Sequence, residues 1–185
     1  MRRLRLMARY YQMGRRVTSD GTIVYKRSHR LFRLKTGAPL EAGFEPPLRL
    51  ELDRELPHGR MPTFYESPAL IARKAFHEDL LAAGVSNLQT VPVVIVNPED
   101  GSQNHDYLLL NIVGRVRCAD MRRSKHRSIG PGMNVVDKLV LAGGVPAGLD
   151  LFVADEDTDV MVVSERVQQR ITAKGYDDVW FEELS

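Results

Sequence analysis

The stretch VPVVIVNPEDGSQNHDYLLLNIVGRVRC, residues 91–118, is the part of the sequence that decides the fold. Two apolar runs within it, Val91–Val96 and Tyr107–Cys118, have the length and the β-branched composition of strands. The residues between them, 98–105, carry Asp100-Gly101, a dipeptide typical of tight turns. The stretch therefore predicts a β-hairpin.

The only cysteine of the chain, Cys118, lies in phase with the alternating apolar positions of the second run. The opposite positions carry Asn111, Arg115 and Arg117, so we expect one buried and one wet face. A nucleophilic cysteine needs an exposed thiol, a lowered pKa and a positioned base, whereas a buried thiol packs as a small hydrophobe. We expect Cys118 to be buried and inert. A single cysteine also excludes an internal disulfide, which favours a reducing compartment.

Further extended segments flank this hairpin. Alternation of apolar with charged residues predicts a first strand within residues 1–13 and another at Leu48–Asp53. Shorter strand-like runs are Thr22–Tyr25, Leu31–Leu34, Val135–Leu141, Leu149–Ala154, Asp159–Val163 and, as a short strand or tail, residues 177–184.

Two helices are predicted. The first begins at Ser67-Pro68, where serine is a favourable N-cap and proline is tolerated in the first turn, and ends at Gly84. The second begins at Ser164 and ends at Gly175. Their apolar stripes are Ala72, Ala75, Phe76, Leu80 and Ala83 in the first helix and Val167 and Ile171 in the second. Strands outnumber helices, which favours the α+β class with a mostly antiparallel or mixed sheet and two principal helices.

The bulk composition is that of an ordinary globular protein. The 185 residues are 43% apolar and 27% charged, and no apolar run approaches the roughly 18 residues that span a bilayer. We expect a single domain over residues 1–185, in which a strand-rich part, residues 1–60, precedes residues 61–185.

The net charge of +2 conceals a gradient along the chain. Residues 1–40 hold 11 basic and 1 acidic residues, whereas residues 150–185 hold 3 basic and 10 acidic residues. Either the two ends lie together in the fold and neutralise each other, or the surface is polarised and attracts a charged partner.

Two charged segments are candidate binding sites. The basic stretch RRSKHR lies in a Gly/Pro-containing segment, residues 120–133, that is expected to be a loop. Its cations Arg122, Arg123, Lys125 and Arg127 could contact phosphates, and together with the basic N-terminus they support an alternative function as a nucleic-acid-associated protein. The stretch lacks neighbouring aromatic residues for base stacking, which favours exposed loop residues without a specific nucleic-acid role.

The acidic segments lie near the C-terminus. We expect a partner protein to contact this surface, because an acidic surface can occupy a basic cleft electrostatically. Trp180 is placed to act as an aromatic anchor in that contact. The residues concerned are Asp155, Glu156, Asp157 and Asp159 in an apparent loop, and Asp177, Asp178 and Trp180 after the second helix.

No pattern of catalytic or ligand-binding residues is found. The histidines show neither HxxxH nor HExxH spacing, the acidic segment lacks the glycine of a calcium loop, and the phosphate, dinucleotide and nucleophile-elbow motifs are missing. The sequence therefore predicts no metal, no cofactor and no enzyme. An enzyme that uses Cys118 or a carboxylate is the least favoured alternative.

Several tracts together resemble immunity protein family eleven of bacterial polymorphic toxin systems. They are GVSNLQTVPVVIV, YLLLNIVGRVRCAD and LDLFVADEDTDVMVVSERVQQRITAKGYDDVWFEEL, following an aromatic first strand. The matching residues are Tyr107, Asn111-Ile112-Val113-Gly114, Asp120, Ser124, Leu151-Phe152, Ser164-Glu165-Arg166, Val179 and Phe181. The resemblance implies a non-enzymatic protein of the bacterial cytoplasm that binds and neutralises a cognate toxin domain. Residues such as Ser164 and Phe152 are expected to carry the resemblance because they cap and pack, and not because they touch the partner.

Overall fold

The structure, a computed structural model, describes residues 9–16, 23–24, 35–40, 46–52, 61–67, 69–131, 133–143, 145 and 148–185. The elements of these residues are β1 (Tyr10–Arg15), β2 (Ile23–Val24), β3 (Leu48–Leu52), β4 (Phe64–Tyr65), β5 (Ile71–Arg73), α1 (Lys74–Ala82), β6 (Leu88–Val96), β7 (Gln103–Ile112), β8 (Arg115–Val116), β9 (Lys125–Gly130), β10 (Met133–Lys138), β11 (Leu151–Ala154), β12 (Met161–Ser164), α2 (Glu165–Ala173) and β13 (Val179–Glu183).

The predicted hairpin is confirmed and forms the centre of a six-stranded sheet with the order β2-β3-β6-β7-β5-β4. Strands β6 and β7 pair antiparallel from Leu88 opposite Ile112 to Val96 opposite Gln103. Gly101 in the connection has φ +72°, the left-handed conformation that glycine adopts at low cost. Strand β3 joins β6 in parallel, so the sheet is mixed.

A second sheet has five strands in the order β13-β1-β12-β11-β8. The first strand lies between two strands from the end of the chain: Met13 is opposite Met161 of β12 on one side and Phe181 of β13 on the other. All pairs are antiparallel except that of β8 with β11. The mixed sheets and two helices agree with the predicted α+β class, although strands dominate the described residues.

The main core lies between the two large sheets and includes the buried faces of both helices. Strands of the five-stranded sheet contribute Leu151 and Val163, and the six-stranded sheet contributes Leu110 and Ile112. The helices contribute Phe76, Leu80, Val167 and Ile171. A second cluster, containing Leu50, Ile71, Tyr107 and Leu109, covers the other face of the six-stranded sheet.

Because both faces of β7 are covered, the expectation of one wet face is wrong for this strand. Asn111 is fully buried, and its Nδ2 donates to the carbonyl oxygen of Ala38 at 2.9 Å and to Oε1 of Gln89 at 3.1 Å. These bonds hold residues 38–40 against the hairpin, since Gln89 Oε1 also accepts from the backbone N–H of Leu40 at 2.7 Å. A buried amide is tolerated there because its donor group has partners.

The first helix begins later than predicted. Residues 71–73 form β5, in which Ala72 is opposite Leu108 of β7, and α1 starts at Lys74 after Arg73, which makes no side-chain cap hydrogen bond. Phe76, Leu80 and Ala83 are buried as expected, whereas Ala75 is exposed. The capping signal at Ser67-Pro68 does not set the start of the helix, because pairing of β5 with β7 buries Ile71 and Ala72 completely.

The second helix begins and ends as predicted. The Oγ atom of Ser164 accepts from the backbone N–H of Val167 at 3.5 Å, and Gly175 follows the helix with φ +72°. The predicted strands at Leu48–Asp53, Leu149–Ala154 and Asp159–Val163 are confirmed within two residues. The expected strand at Leu31–Leu34 and the first eight residues of the N-terminal strand lie outside the described residues. Within the described part of the chain, no helix is long and apolar enough to cross a membrane.

Candidate functional site

The predicted acidic segment is the connection between β11 and β12, and residues 155–159 are called the acidic loop below. Two of its carboxylates are exposed and each pairs with one cation. Asp155 Oδ1 lies 3.1 Å from Nε of Arg115, and Asp159 Oδ1 lies 2.5 Å from Nζ of Lys35.

The other two carboxylates of the acidic loop bind backbone amides. Glu156 accepts from the N–H groups of Cys118 and Ala119 at 3.3 and 3.1 Å. Asp157 accepts from the N–H of Val136 at 2.8 Å and from that of Asp159 at 3.0 Å. Each of the four carboxylates of the acidic loop therefore already has a partner within the molecule.

The acids after α2 are engaged as well. The carboxylate of Asp178 accepts from the backbone N–H of Thr63 at 2.7 Å and from its hydroxyl at 2.6 Å. Trp180 is half-buried opposite Gly14 of β1, where a Cβ atom at Gly14 would lie only 2.4 Å from the indole. Asp177 is exposed and also interacts within the molecule. In this structure Trp180 therefore packs on the chain's own first strand.

The two oppositely charged ends of the chain meet in the fold. Arg9, beside β1, forms an ion pair with Glu165 at 3.5 Å, and Lys35 pairs with Asp159. Strand β1 also lies between two C-terminal strands. For the described residues, these contacts support mutual neutralisation of the ends.

The basic stretch is not the loop that was expected. Residues 125–138, called the basic hairpin below, form the antiparallel pair β9–β10, with Arg127 opposite Val135 and Lys125 opposite Lys138. Arg122 and Arg123 lie in the turn before β9. The expected exposure of these cations is confirmed. Apolar alternation is missing from β9 because nearly all of its side chains face solvent.

The tip of the basic hairpin carries exposed apolar side chains. Ile129 and Met133 are 56% and 58% exposed and lie on either side of the turn at Gly130-Pro131. Among the described residues, the other large exposed hydrophobic side chain is Leu81 of α1 at 47%. The tip is thus an apolar spot on an otherwise cationic element.

The base of the basic hairpin is fixed to the body of the protein. The Oγ atom of Ser124 accepts from the backbone N–H of Val140 at 2.9 Å and donates to its carbonyl oxygen at 3.3 Å. That carbonyl also accepts from the N–H of Asp120 at 2.8 Å. Val136 is buried among the residues of a third cluster that includes Cys118 and Phe152. Glu156 and Asp157 of the acidic loop hold the same region, so the two charged segments form one continuous site.

Cys118 is buried in this site, as predicted. Burial, with smaller contributions from the negative charges of Glu156 and Asp155, raises the pKa of its thiol to about 12. Because the thiolate is the nucleophilic form, a pKa above the usual value makes Cys118 a poor nucleophile at neutral pH.

A comparison with protein families matched the model of an immunity protein family, Imm11, to residues 41–185. The chain belongs to the Imm11 immunity protein family. A comparison with curated proteins gave no match.

Most of the residues that carry the resemblance to the Imm11 family have structural roles in this fold. Tyr107 is buried and its hydroxyl donates to the carbonyl oxygen of Pro62, and Phe152 packs edge-on against Tyr10 with ring centroids 5.7 Å apart. Ser164 caps α2, as predicted. Ser124 is the residue that fixes the base of the basic hairpin, so the matched residues also position an exposed element.

One charged cluster of the Imm11 chain has no signal in the sequence. Asp79 of α1 is buried and accepts from Arg170 Nη2 and Lys174 Nζ, each at 3.0 Å, and from the hydroxyl of Tyr176 at 2.9 Å. Burial alone raises the pKa of Asp79, but the hydrogen bonds from Lys174, Tyr176 and Arg170 outweigh it and hold the pKa below its usual value. The cluster joins α1 to α2, and its members are too distant in sequence for any local pattern to reveal them.

Proposed function

We propose that this Imm11 protein binds a cognate bacterial toxin domain in the cytoplasm of the cell that makes the toxin, and neutralises it by occupying its surface. The family match over residues 41–185 carries the proposal. The proposed action is stoichiometric, without catalysis and without a cofactor. Cys118 was the candidate nucleophile of the sequence. Its thiol is buried and its pKa is raised, so it is poorly suited to catalysis, which supports the proposal.

Stoichiometry provides the test. A candidate toxin domain from an open reading frame next to the gene of this chain is co-expressed with it in a sensitive bacterium, and growth is followed while the ratio of the two proteins is varied. A binder protects only when its concentration equals or exceeds that of the toxin. Protection at a ratio far below one would refute the proposal, because it requires turnover. Titration calorimetry of the purified proteins then gives the stoichiometry and the dissociation constant.

Part of the acidic surface is proposed to contribute to this contact. Asp155 and Asp159 are exposed and each has one ion pair at the surface, which is worth little and can be exchanged for a pair with a basic partner. Glu156 and Asp157 are less suited, because they bind backbone amides. The segment of Asp177, Asp178 and Trp180 is a weaker candidate, because Asp178 binds Thr63 and Trp180 packs against Gly14 within the molecule.

The acidic contribution can be tested by replacing both Asp155 and Asp159 with Lys. If these side chains contact the toxin, the variant should associate more slowly at low salt while its melting temperature stays near that of the wild type. An unchanged association rate would remove the acidic loop from the interface and leave the immunity proposal intact.

A nucleic-acid-associated role is the second candidate, favoured by the exposed cations of the basic hairpin. Phosphate contacts make binding strongly dependent on salt concentration. We expect weak binding of duplex and single-stranded oligonucleotides that disappears near physiological salt. Submicromolar binding that persists there, and that is lost when Arg122, Arg123, Lys125 and Arg127 are replaced by Ser, would make this the leading function.

A further inference from the structure

We infer that the basic hairpin, together with Arg122 and Arg123, is the docking element for the toxin domain, and that it contacts an acidic surface with an apolar depression at its centre. The inference rests on the proposed function and adds the contact surface and the chemistry of the partner's side.

The first argument is the balance of charge within the chain. The exposed acids Asp155 and Asp159 have intramolecular cations as partners. By contrast, the cations of the hairpin region form no ion pair with any residue in the described ranges. These cations are Arg122, Arg123, Lys125, Arg127 and Lys138. Residues 121–138 contain a single acid, the exposed Asp137. The uncompensated charge of residues 121–138 is positive, so the complement of the basic hairpin is an acidic surface.

The second argument is the apolar tip. Ile129 and Met133 leave more than half of their surface in water and flank the turn of the hairpin, where a depression on a partner protein can cover both. A phosphate backbone offers no apolar surface to cover these side chains, whereas a depression in a protein does. Because the proposed function supplies a protein partner, we assign these apolar side chains to a depression on that protein, and displacement by duplex DNA is the outcome that would favour a nucleic acid.

The third argument is the shape and support of the element. Strand β9 pairs with β10 on one edge, and within the described part of the chain its other edge has no strand partner. Its backbone groups on that edge are available for hydrogen bonds to a partner. The repeated positive charge along β9 opposes pairing with a second copy of this chain, because like charges would meet. Ser124 and Asp157 fix the base, so little conformational freedom is lost when the tip is buried.

The test uses two variants of the full chain and an inactivated form of the toxin domain that the co-expression experiment identifies. The first variant, Ile129→Ser with Met133→Ser, replaces both apolar side chains of the tip with polar ones. The second, Arg122→Glu with Arg127→Glu, reverses charge at the flank. The matched controls are Leu81→Ser, an equally exposed hydrophobic on α1, and Lys74→Glu, an exposed cation on α1. Equal melting temperatures of all proteins establish that folding is intact.

Association and dissociation rates are measured at low and at physiological salt. The tip variant is expected to weaken binding by about tenfold or more, mainly through faster dissociation. The charge variant is expected to slow association by about tenfold at low salt and to reduce the salt dependence of the rate. Both controls should bind like the wild type.

The outcomes separate the inference from the proposed function. If both hairpin variants bind within about twofold of the wild type, the hairpin is not the interface, and the inference fails while the immunity proposal stands. If the wild type itself does not bind the toxin domain, the proposed function fails and the inference fails with it. If sedimentation shows that the tip variant dissociates a dimer of the wild type, or if duplex DNA displaces the toxin domain from it, the hairpin serves another partner and the inference is overturned.

Discussion

The buried carboxylate of Asp79 allows a quantitative test of how the two helices are joined. Its side chain is 8% exposed and receives hydrogen bonds from Arg170, Lys174 and Tyr176. Asp79→Asn keeps the volume but removes the charge and turns an amide toward these donors. Removing one member of a buried charge pair costs about 3–5 kcal/mol. The side chains of Arg170 and Lys174 are 42% and 44% exposed and can be rehydrated, so we expect about 2 kcal/mol.

The loss should depend on pH in a defined direction. The folded-state pKa of Asp79 lies below its value in the unfolded chain, so the carboxylate stabilises the fold fully above the unfolded pKa of about 4. That contribution is lost as pH falls through the folded-state pKa. The difference in unfolding free energy between wild type and Asp79→Asn should therefore be constant from neutral pH to about pH 5 and shrink below about pH 4.

Urea unfolding followed by the fluorescence of the single tryptophan, Trp180, measures this difference. The control is Asp106→Asn, which removes an exposed carboxylate 4.0 Å from Arg73 and should cost less than about 0.5 kcal/mol. A loss for Asp79→Asn no greater than that of the control, or a difference that grows as the pH falls, would refute the reasoning.

Three further predictions concern the core, the thiol and the central strand. Phe76→Ala should lower the unfolding free energy by about 3–5 kcal/mol, because the ring is fully buried against Phe64 and Tyr176; a loss below roughly 1 kcal/mol in denaturant titration would contradict this placement. Cys118 should react with a maleimide far more slowly in native than in denatured protein at pH 8, and fast native labelling would contradict its burial and raised pKa. Gly14→Ala should lower the melting temperature, because its Cβ would overlap the indole of Trp180; an unchanged melting curve would mean that the indole can move away.

The central hairpin was predictable because its apolar strands and its Asp-Gly turn are local signals that agree with the final structure. The start of α1 was not, because the serine–proline cap signal is also local, while the pairing of Ala72 with Leu108 depends on a strand formed by a distant part of the chain. The two buried faces of β7 were missed for the same reason. Alternation alone shows that one face is apolar, and not that residues 38–40 cover the buried Asn111 on the other.

For the candidate site, the sequence located the two charged segments but not their structural surroundings. The second strand of the basic hairpin overlaps the predicted strand at Val135–Leu141, but the first strand, β9, was not predicted because it covers little apolar surface. The turn around Gly130-Pro131 was the available signal for it. The contacts of the acidic loop could not be predicted, because the backbone amides of Cys118 and Val136 that bind it leave no trace in composition. Asp79 and Arg170 are brought together only by the packing of two helices.

The position of β1 has a consequence for how the protein is made. Its residue Gln12 faces Val162 on one side and Glu182 on the other, so this early strand pairs on both edges with strands that are far away in the sequence. Contacts between such distant residues form slowly because a long loop must close first. During synthesis, β1 can therefore pair with β12 only after translation has passed Ser164, and with β13 only after it has passed Glu183. A newly made chain therefore has a complete five-stranded sheet only after Glu183 has been synthesised, whereas stored protein is ready at once.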